Sequence, residues 1–408
     1  MKPITISFII LLLFTTFSCK KDSSPEPGQP QTIDLTPKAN EVISSSNGFG
    51  IDLFRITALE EDENMMLSPL SASTALTMLL NGCNDQTYEQ IRDMLGYKGL
   101  TTEEINAAYL SLVAQLLEID PEVKLALANA IFYRKDFPFK HSYLDAMNKS
   151  FDAEISGLDF SAPSALETIN NWASDNTNGK ITRVLDEIDP FAVMFLMNAL
   201  YFKGTWTYQF KPENTQDRTF YRDDGAEVQV EMMHEKMAVK TVYGNNYQAI
   251  ELTYGQKNFS MVIILPDYIT TMDDFLAEFY VEQWDYMISD IESAEVTEDM
   301  DIFIPKFKFE YEKKLNEQLE TLGMIDAFIP IKADLSKISD INLYVDFVKQ
   351  NTFIEVNEEG TEAAAVTTIG INYTGINEFM VNKPFVFAIR ETTTNALLFL
   401  GKVEHPEY

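Results

Sequence analysis

The sequence predicts an α+β fold with large sheets, and three observations carry that expectation. Helical patterning dominates the first 120 or so residues, whereas long apolar runs of strand character fill much of the remainder. The two kinds of element mix without strict alternation, which argues against a doubly wound parallel sheet. The aromatic residues are 28 Phe and 18 Tyr against 3 Trp, a set suited to half-buried pleated surfaces.

Along the chain, Ile51, Leu53, Phe54, Ile56 and Leu59 form an apolar stripe at helical spacing. Ser68 followed by Pro69 opens a nearly all-apolar helix over 70–80, which has to be buried. A helix over 102–117 starts with Glu103 and Glu104, acids that complement the positive end of its dipole. Strands are predicted over 123–132, 192–202 and 259–265, the last ended by Pro266. Residues 301–309 alternate through Ile302, Ile304, Phe307 and Phe309, and a helix over 311–322 stops at Gly323. Two further strands, 385–389 and 397–403, flank turn residues 392–395.

The amino terminus reads as a targeting segment. A charged Lys2 precedes an apolar stretch over 4–17, shorter than the roughly 20 residues that span a bilayer. Residues 1–18 are expected to be a signal peptide and excluded from the fold. Cys19 is followed by a Ser/Pro/Gly-rich run, as in a bacterial lipoprotein whose lipidated cysteine heads a flexible tether over 19–37. An ordinary secretory signal is the alternative. The expected location is therefore the cell envelope or outer surface, held only by a lipid anchor, or the medium outside. From 38 to 408 no second linker, repeat or composition shift interrupts a single domain. Of the two cysteines, Cys83 ends an apolar helical run and reads as a small buried residue, so no disulfide framework is expected.

The net charge of −32 disfavours nucleic acid, whose phosphates are gripped by Lys and Arg clusters. The three histidines, His141, His234 and His405, stand in unrelated contexts. No metal-spaced pair, nucleophile elbow or phosphate-cradling glycine loop is present. No catalytic, metal or cofactor site is expected, and the chain does not read as an enzyme.

Residues 358–368 (EEGTEAAAVTT) break local rules. Ala and Glu favour helix, yet the segment follows a good strand over 352–356. A long, uncharged, turn-rich stretch comes next, through Asn377. No proline lies between 358 and 375, so every backbone N–H there could join a sheet ladder. Thr361, Ala363, Ala365 and Thr367 are all small, so one face could enter a packed core without a clash.

Several ordered motifs accompany this segment. They are Asn64 with Ser68, Pro69 and Ser71; LANAIF over 127–132; NNW over 170–172 with TNGKI over 177–181; NALYFKGTW over 198–206; PKFKF over 305–309; and NKPFVF over 382–387. Together they resemble the serpin family across nearly everything after about Lys38.

The resemblance implies a monomeric single domain of three β-sheets and eight or nine helices, with an exposed reactive-centre loop. It implies suicide inhibition of serine endopeptidases: the protease cuts the loop, is held as an acyl-enzyme, and the loop inserts as a new strand of the main sheet. Carried over, the hinge is Glu358, Glu359, Gly360, Thr361, Glu362, Ala363, Ala364 and Ala365. The breach holds Lys306, paired with Glu358, near Trp206. The shutter holds Ser68, Ser71 and Asn198, with Gln350 where the family usually has a histidine. The scissile bond is counted to Thr374 and Gly375, with Asn372–Tyr373 and Tyr373–Thr374 as alternatives. Without Arg or Lys there, elastase-, chymotrypsin- or subtilisin-like targets fit better than trypsin-like ones, and a papain-like cysteine protease remains open. A serpin-fold binding protein or a plain protease substrate is the competing function.

Overall fold

The computed structural model describes residues 28–361 and 377–408. Its α-helices are α1 (Pro37–Ala58), α2 (Pro69–Leu80), α3 (Asp85–Met94), α4 (Thr102–Leu116), α5 (His141–Phe151), α6 (Pro163–Asn176), α7 (Met272–Ala277), α8 (Val281–Ser293) and α9 (Asn316–Thr321). The strands to the middle of the chain are β1 (Met65–Leu67), β2 (Val123–Arg134), β3 (Glu154–Leu158), β4 (Met194–Gly204), β5 (Gln216–Tyr221), β6 (Glu227–Tyr243) and β7 (Tyr247–Tyr254). The rest are β8 (Phe259–Pro266), β9 (Val296–Pro305), β10 (Phe307–Lys314), β11 (Lys349–Val356), β12 (Glu378–Met380), β13 (Phe385–Glu391) and β14 (Leu397–Val403). Nine helices and three sheets among the described residues give the mixed α+β architecture expected from the sequence.

Local chemistry starts the helices. Thr36, Ser68 and Thr101 each accept a first-turn backbone N–H, and Glu104 completes a capping box on α4. Helix α2 is buried along almost its whole length, as its apolar composition requires. Cys83, just beyond it, is fully buried, and desolvation pushes its thiol pKa well above the ordinary range.

The largest sheet orders its strands β1-β14-β13-β8-β7-β6-β9-β12, with β5 on β6. Strands β8, β13 and β14 are buried on both faces, which explains their unbroken apolar runs. The remaining strands form two smaller units, β3-β2-β4 and β10-β11. Among the described residues, β4 and β11 do not pair with each other.

Three expectations shift. The run over 301–309 is not one strand: it breaks at Lys306, whose N–H bonds Glu231 O, and β9 and β10 enter different sheets. The helix expected over 311–322 is confined to Asn316–Thr321, because Tyr311–Lys314 continue β10 against Lys349–Thr352. Residues 311–314 alternate between half-buried and exposed, so strand pairing overrides the helix preference of Glu and Lys. Finally, the chain is not a free tether up to 37. From Gln31 it is bonded to the body, because Ile33 finds a buried site and side chains of Asn258, Thr393 and Gln115 satisfy its backbone.

Candidate functional site: the hinge and the top of the split sheet

Strand β11 ends at Val356 and the chain turns back at once. Asn357 and Gly360 exchange backbone hydrogen bonds of 2.9 and 3.2 Å, placing Glu358 and Glu359 at the tip of a two-residue hairpin. The turn requires glycine at 360. Its φ is +148°, and a Cβ there would lie 2.1 Å from Gly204 O. Past the turn, Thr361 pairs antiparallel with Val356 on one side, while its N–H donates to Gly204 O at 2.8 Å on the other. Thr361 is buried and stands between the ends of β11 and β4.

The surrounding residues grip this turn. Trp206 donates its backbone N–H to Glu359 O (2.8 Å) and its indole N–H to Asn357 O (3.0 Å). Its ring stacks on Tyr254 at 4.3 Å, and the Tyr254 hydroxyl lies 3.1 Å from Thr361 Oγ1. Glu358 is only 5% exposed; it accepts a 2.7 Å hydrogen bond from Thr215 Oγ1 and lies 3.8 Å from Lys306 Nζ. Lys306 also sits 3.5 Å from Glu231 and 3.9 Å from the Tyr408 ring centre. The Tyr408 hydroxyl accepts from Asn357 Nδ2 and donates to Glu355, so the last residue braces the same corner.

Lower down, Gln350 holds Ser68 at two points: its Oε1 accepts the Ser68 N–H (2.8 Å) and its Nε2 donates to Ser68 O (3.0 Å). The Ser68 hydroxyl caps α2 by accepting from Ser71 N at 3.2 Å. Asn198 stands apart from these three. Its Nδ2 donates to Asn129 Oδ1 (2.6 Å), and Asn129 in turn donates to Tyr109 Oη and Phe151 O. The polar residues grouped from sequence thus divide into a Ser68–Ser71–Gln350 set that ties the start of α2 to β11 and an Asn198–Asn129–Tyr109 chain that runs from β4 through β2 to α4. Burial raises the Tyr109 pKa to about 12, leaving a neutral hydroxyl in that chain.

Several partners escaped sequence reasoning: Tyr254, Thr215, Asn357, Tyr408, Asn129 and Thr352, whose hydroxyl donates to Met66 O. Each acts across a long sequence separation, and a lone Tyr, Thr or Asn carries no spacing signal. Asn129 and Asn198 fall inside recognised motifs, yet their contact becomes visible only in the β2–β4 register, where they stand opposite each other. Glu362, Ala363, Ala364, Ala365, Asn372, Tyr373, Thr374 and Gly375 lie outside the described residues, as does Cys19.

The profile of the family described as "Serpin (serine protease inhibitor)" matches residues 44–406. The leukocyte elastase inhibitor of Xenopus tropicalis is 36% identical over 89% of this chain and 99% of its own length. The crystal structure of a thermophilic serpin, tengpin, in the native state superposes with a TM-score of 0.81 at 34% identity, covering 93% of this chain and 97% of that one. Thyroxine-binding globulin in complex with thyroxine superposes equally well at 27% identity, over 90% and 99% of the two chains. The chain belongs to the serpin (serine protease inhibitor) family.

Proposed function

We propose that this serpin is an irreversible suicide inhibitor of serine endopeptidases that works by loop insertion. The position of Thr361 carries this reading. A strand continued from Thr361 would run antiparallel to both β11 and β4, between two strands that do not pair with each other among the described residues. Its backbone would thereby satisfy two rows of N–H and C=O groups at once. The native chain is then a kinetic trap, released when the loop is cut.

In this scheme the protease serine adds to the carbonyl of Thr374, Gly375 leaves as a free amine, and an ester joins loop to enzyme. Insertion of the freed loop carries the acyl-enzyme away before water hydrolyses the ester. Glu358 to Ala365 act as hinge, Lys306 and Trp206 hold the breach, and Ser68, Ser71, Asn198 and Gln350 serve as shutter. Absence of Arg or Lys at 372–375 favours elastase-, chymotrypsin- or subtilisin-like targets, and Tyr373 also suits a papain-like cysteine protease. The elastase inhibitor among the relatives supports the first of these. The protein acts as an exported monomer, tethered through Cys19 to the envelope.

The test mixes the purified protein with elastase, chymotrypsin, subtilisin and papain, and resolves the products on denaturing gels with mass analysis. A covalent band at the summed mass and a fragment beginning at Gly375 are expected. Clean loop cleavage that leaves every protease active would sink inhibition and favour a binding role.

A further inference from the structure

Lys124 of β2 and Lys203 of β4 stand directly opposite each other in the strand register. Opposite residues share a face, so two ammonium groups lie side by side, an arrangement that costs stability. Among the described residues neither lysine forms an ion pair, and the Lys124 ammonium lies 5.5 Å from the centre of the Tyr201 ring. In a chain with 63 acidic and 31 basic residues, an unmatched pair of cations stands out. Across the gap, Glu355 of β11 faces Lys308 of β10 and lies 3.5 Å from its Nζ. Lys180, from the loop after α6, lies 3.3 Å from the same carboxylate. Glu355 is thus already matched by two cations and leaves the Lys124–Lys203 pair uncompensated. A small cavity lined by Lys180, Tyr201, Phe353 and Thr361 separates the two sides.

Two bridges fix which residue would complete this row. Antiparallel partners advance in opposite directions along their strands. Thr205 pairs with Gly360, so two steps along, Lys203 comes opposite position 362. Val356 pairs with Thr361, so one step along, Glu355 comes opposite the same position. Thr361 meets the buried Tyr254 hydroxyl, and a strand alternates, so position 362 would share the outer face with Lys203 and Glu355. That position is Glu362.

We propose that Lys203, with Lys124 beside it, is the receiving site for the Glu362 carboxylate when the segment after Thr361 enters the sheet. The pairing rests on the loop-insertion reading above and deepens it, because it assigns the register of entry to one charge contact. A slip of one residue would turn the acid toward the core and leave the two lysines unmatched.

The test compares the full chain with the same chain cut in the loop by papain, through thermal midpoints at low salt and fixed urea. Lys203→Glu places a carboxylate against Lys124 in the uncut protein, whose midpoint should hold or rise. In the cut protein three carboxylates would share the row, and the midpoint should fall by roughly 2–5 °C. Adding Glu362→Lys to Lys203→Glu restores opposite charges and should recover the cut form. Lys98→Glu, exposed in the turn after α3, changes net charge equally and should move neither form. An unshifted cut form, an equal shift from Lys98→Glu, or a double variant without recovery overturns the pairing. A parent that gains no thermal resistance on cleavage overturns the insertion reading and the pairing together, an outcome distinct from failure of the charge contact alone.

Discussion

The Tyr254 and Thr361 hydroxyls meet at 3.1 Å between two buried residues. Burial pushes the Tyr254 pKa far up, so the phenol stays neutral and the contact is a hydroxyl pair rather than a charged bond. An unoccupied socket would leave a buried hydroxyl without its partner, at a cost of about 1–3 kcal/mol. The first residue of the returning chain is therefore selected for size and for a hydroxyl.

That selection predicts a non-additive pair. Thr361→Val and Tyr254→Phe each remove one hydroxyl and strand the other, and each should slow covalent trapping several-fold, about 1 kcal/mol. The double variant should be no worse than the poorer single one, because nothing is left stranded. Additive losses in the rate of complex formation would show that the two hydroxyls act separately. Thr361→Arg, which puts a charge against Tyr254 and Trp206, should turn the inhibitor into a substrate.

Gly360→Ala tests the turn itself. Alanine at φ +148° with its Cβ against Gly204 O carries strain on the order of 1–3 kcal/mol, unless the hairpin opens. The expected result is normal folding with a raised ratio of cleaved to complexed protein. An unchanged ratio would mean that the hinge does not use this turn during trapping.

The same corner shows what the sequence can and cannot disclose. Gly360 and Thr361 stand out because helix-favouring, small residues follow a strand, a conflict between local preference and position. Tyr254 and Tyr408 do not stand out, since their roles exist only after distant strands are brought together. The stretch from Gln31 to Asp34 reads as linker because the side chains that bind the backbone of Gln31, Ile33 and Asp34 lie 81 to 360 residues away in sequence. Tyr311 to Lys314 mislead for a related reason: a half-exposed strand rich in Glu and Lys is hard to tell from a helix until its partner β11 is known.

Lys306 and Glu358 give a charge prediction. Glu358 keeps its Thr215 bond if Lys306 is removed but loses its nearest cation, so Lys306→Ala should cost about 1–3 kcal/mol. Glu358→Gln in the same chain should recover most of that loss, since an amide needs no counter-charge. Denaturant midpoints of the two singles and the double decide the matter. No recovery in the double would assign the Lys306 effect to its packing on Tyr408 instead.

Gln350 should set the height of the barrier to opening. Its amide satisfies the Ser68 N–H and adds to the Ser68 carbonyl, which also accepts from Ala72 N at 2.9 Å. Gln350→Ala therefore orphans one buried N–H but not the carbonyl, a loss of about 1–3 kcal/mol. Gln350→His supplies a single donor and a single acceptor on opposite sides of a rigid ring, so it cannot contact both groups of one residue in the same way. It should restore only part of the stability at neutral pH. That part should fade below about pH 6.5, where an unperturbed imidazole gains a charge in a buried site. Thermal midpoints across pH 5–8 would show the alanine variant low and flat and the histidine variant falling toward acid. A histidine variant as stable as the parent at every pH would show that Ser68 needs only one contact from this position.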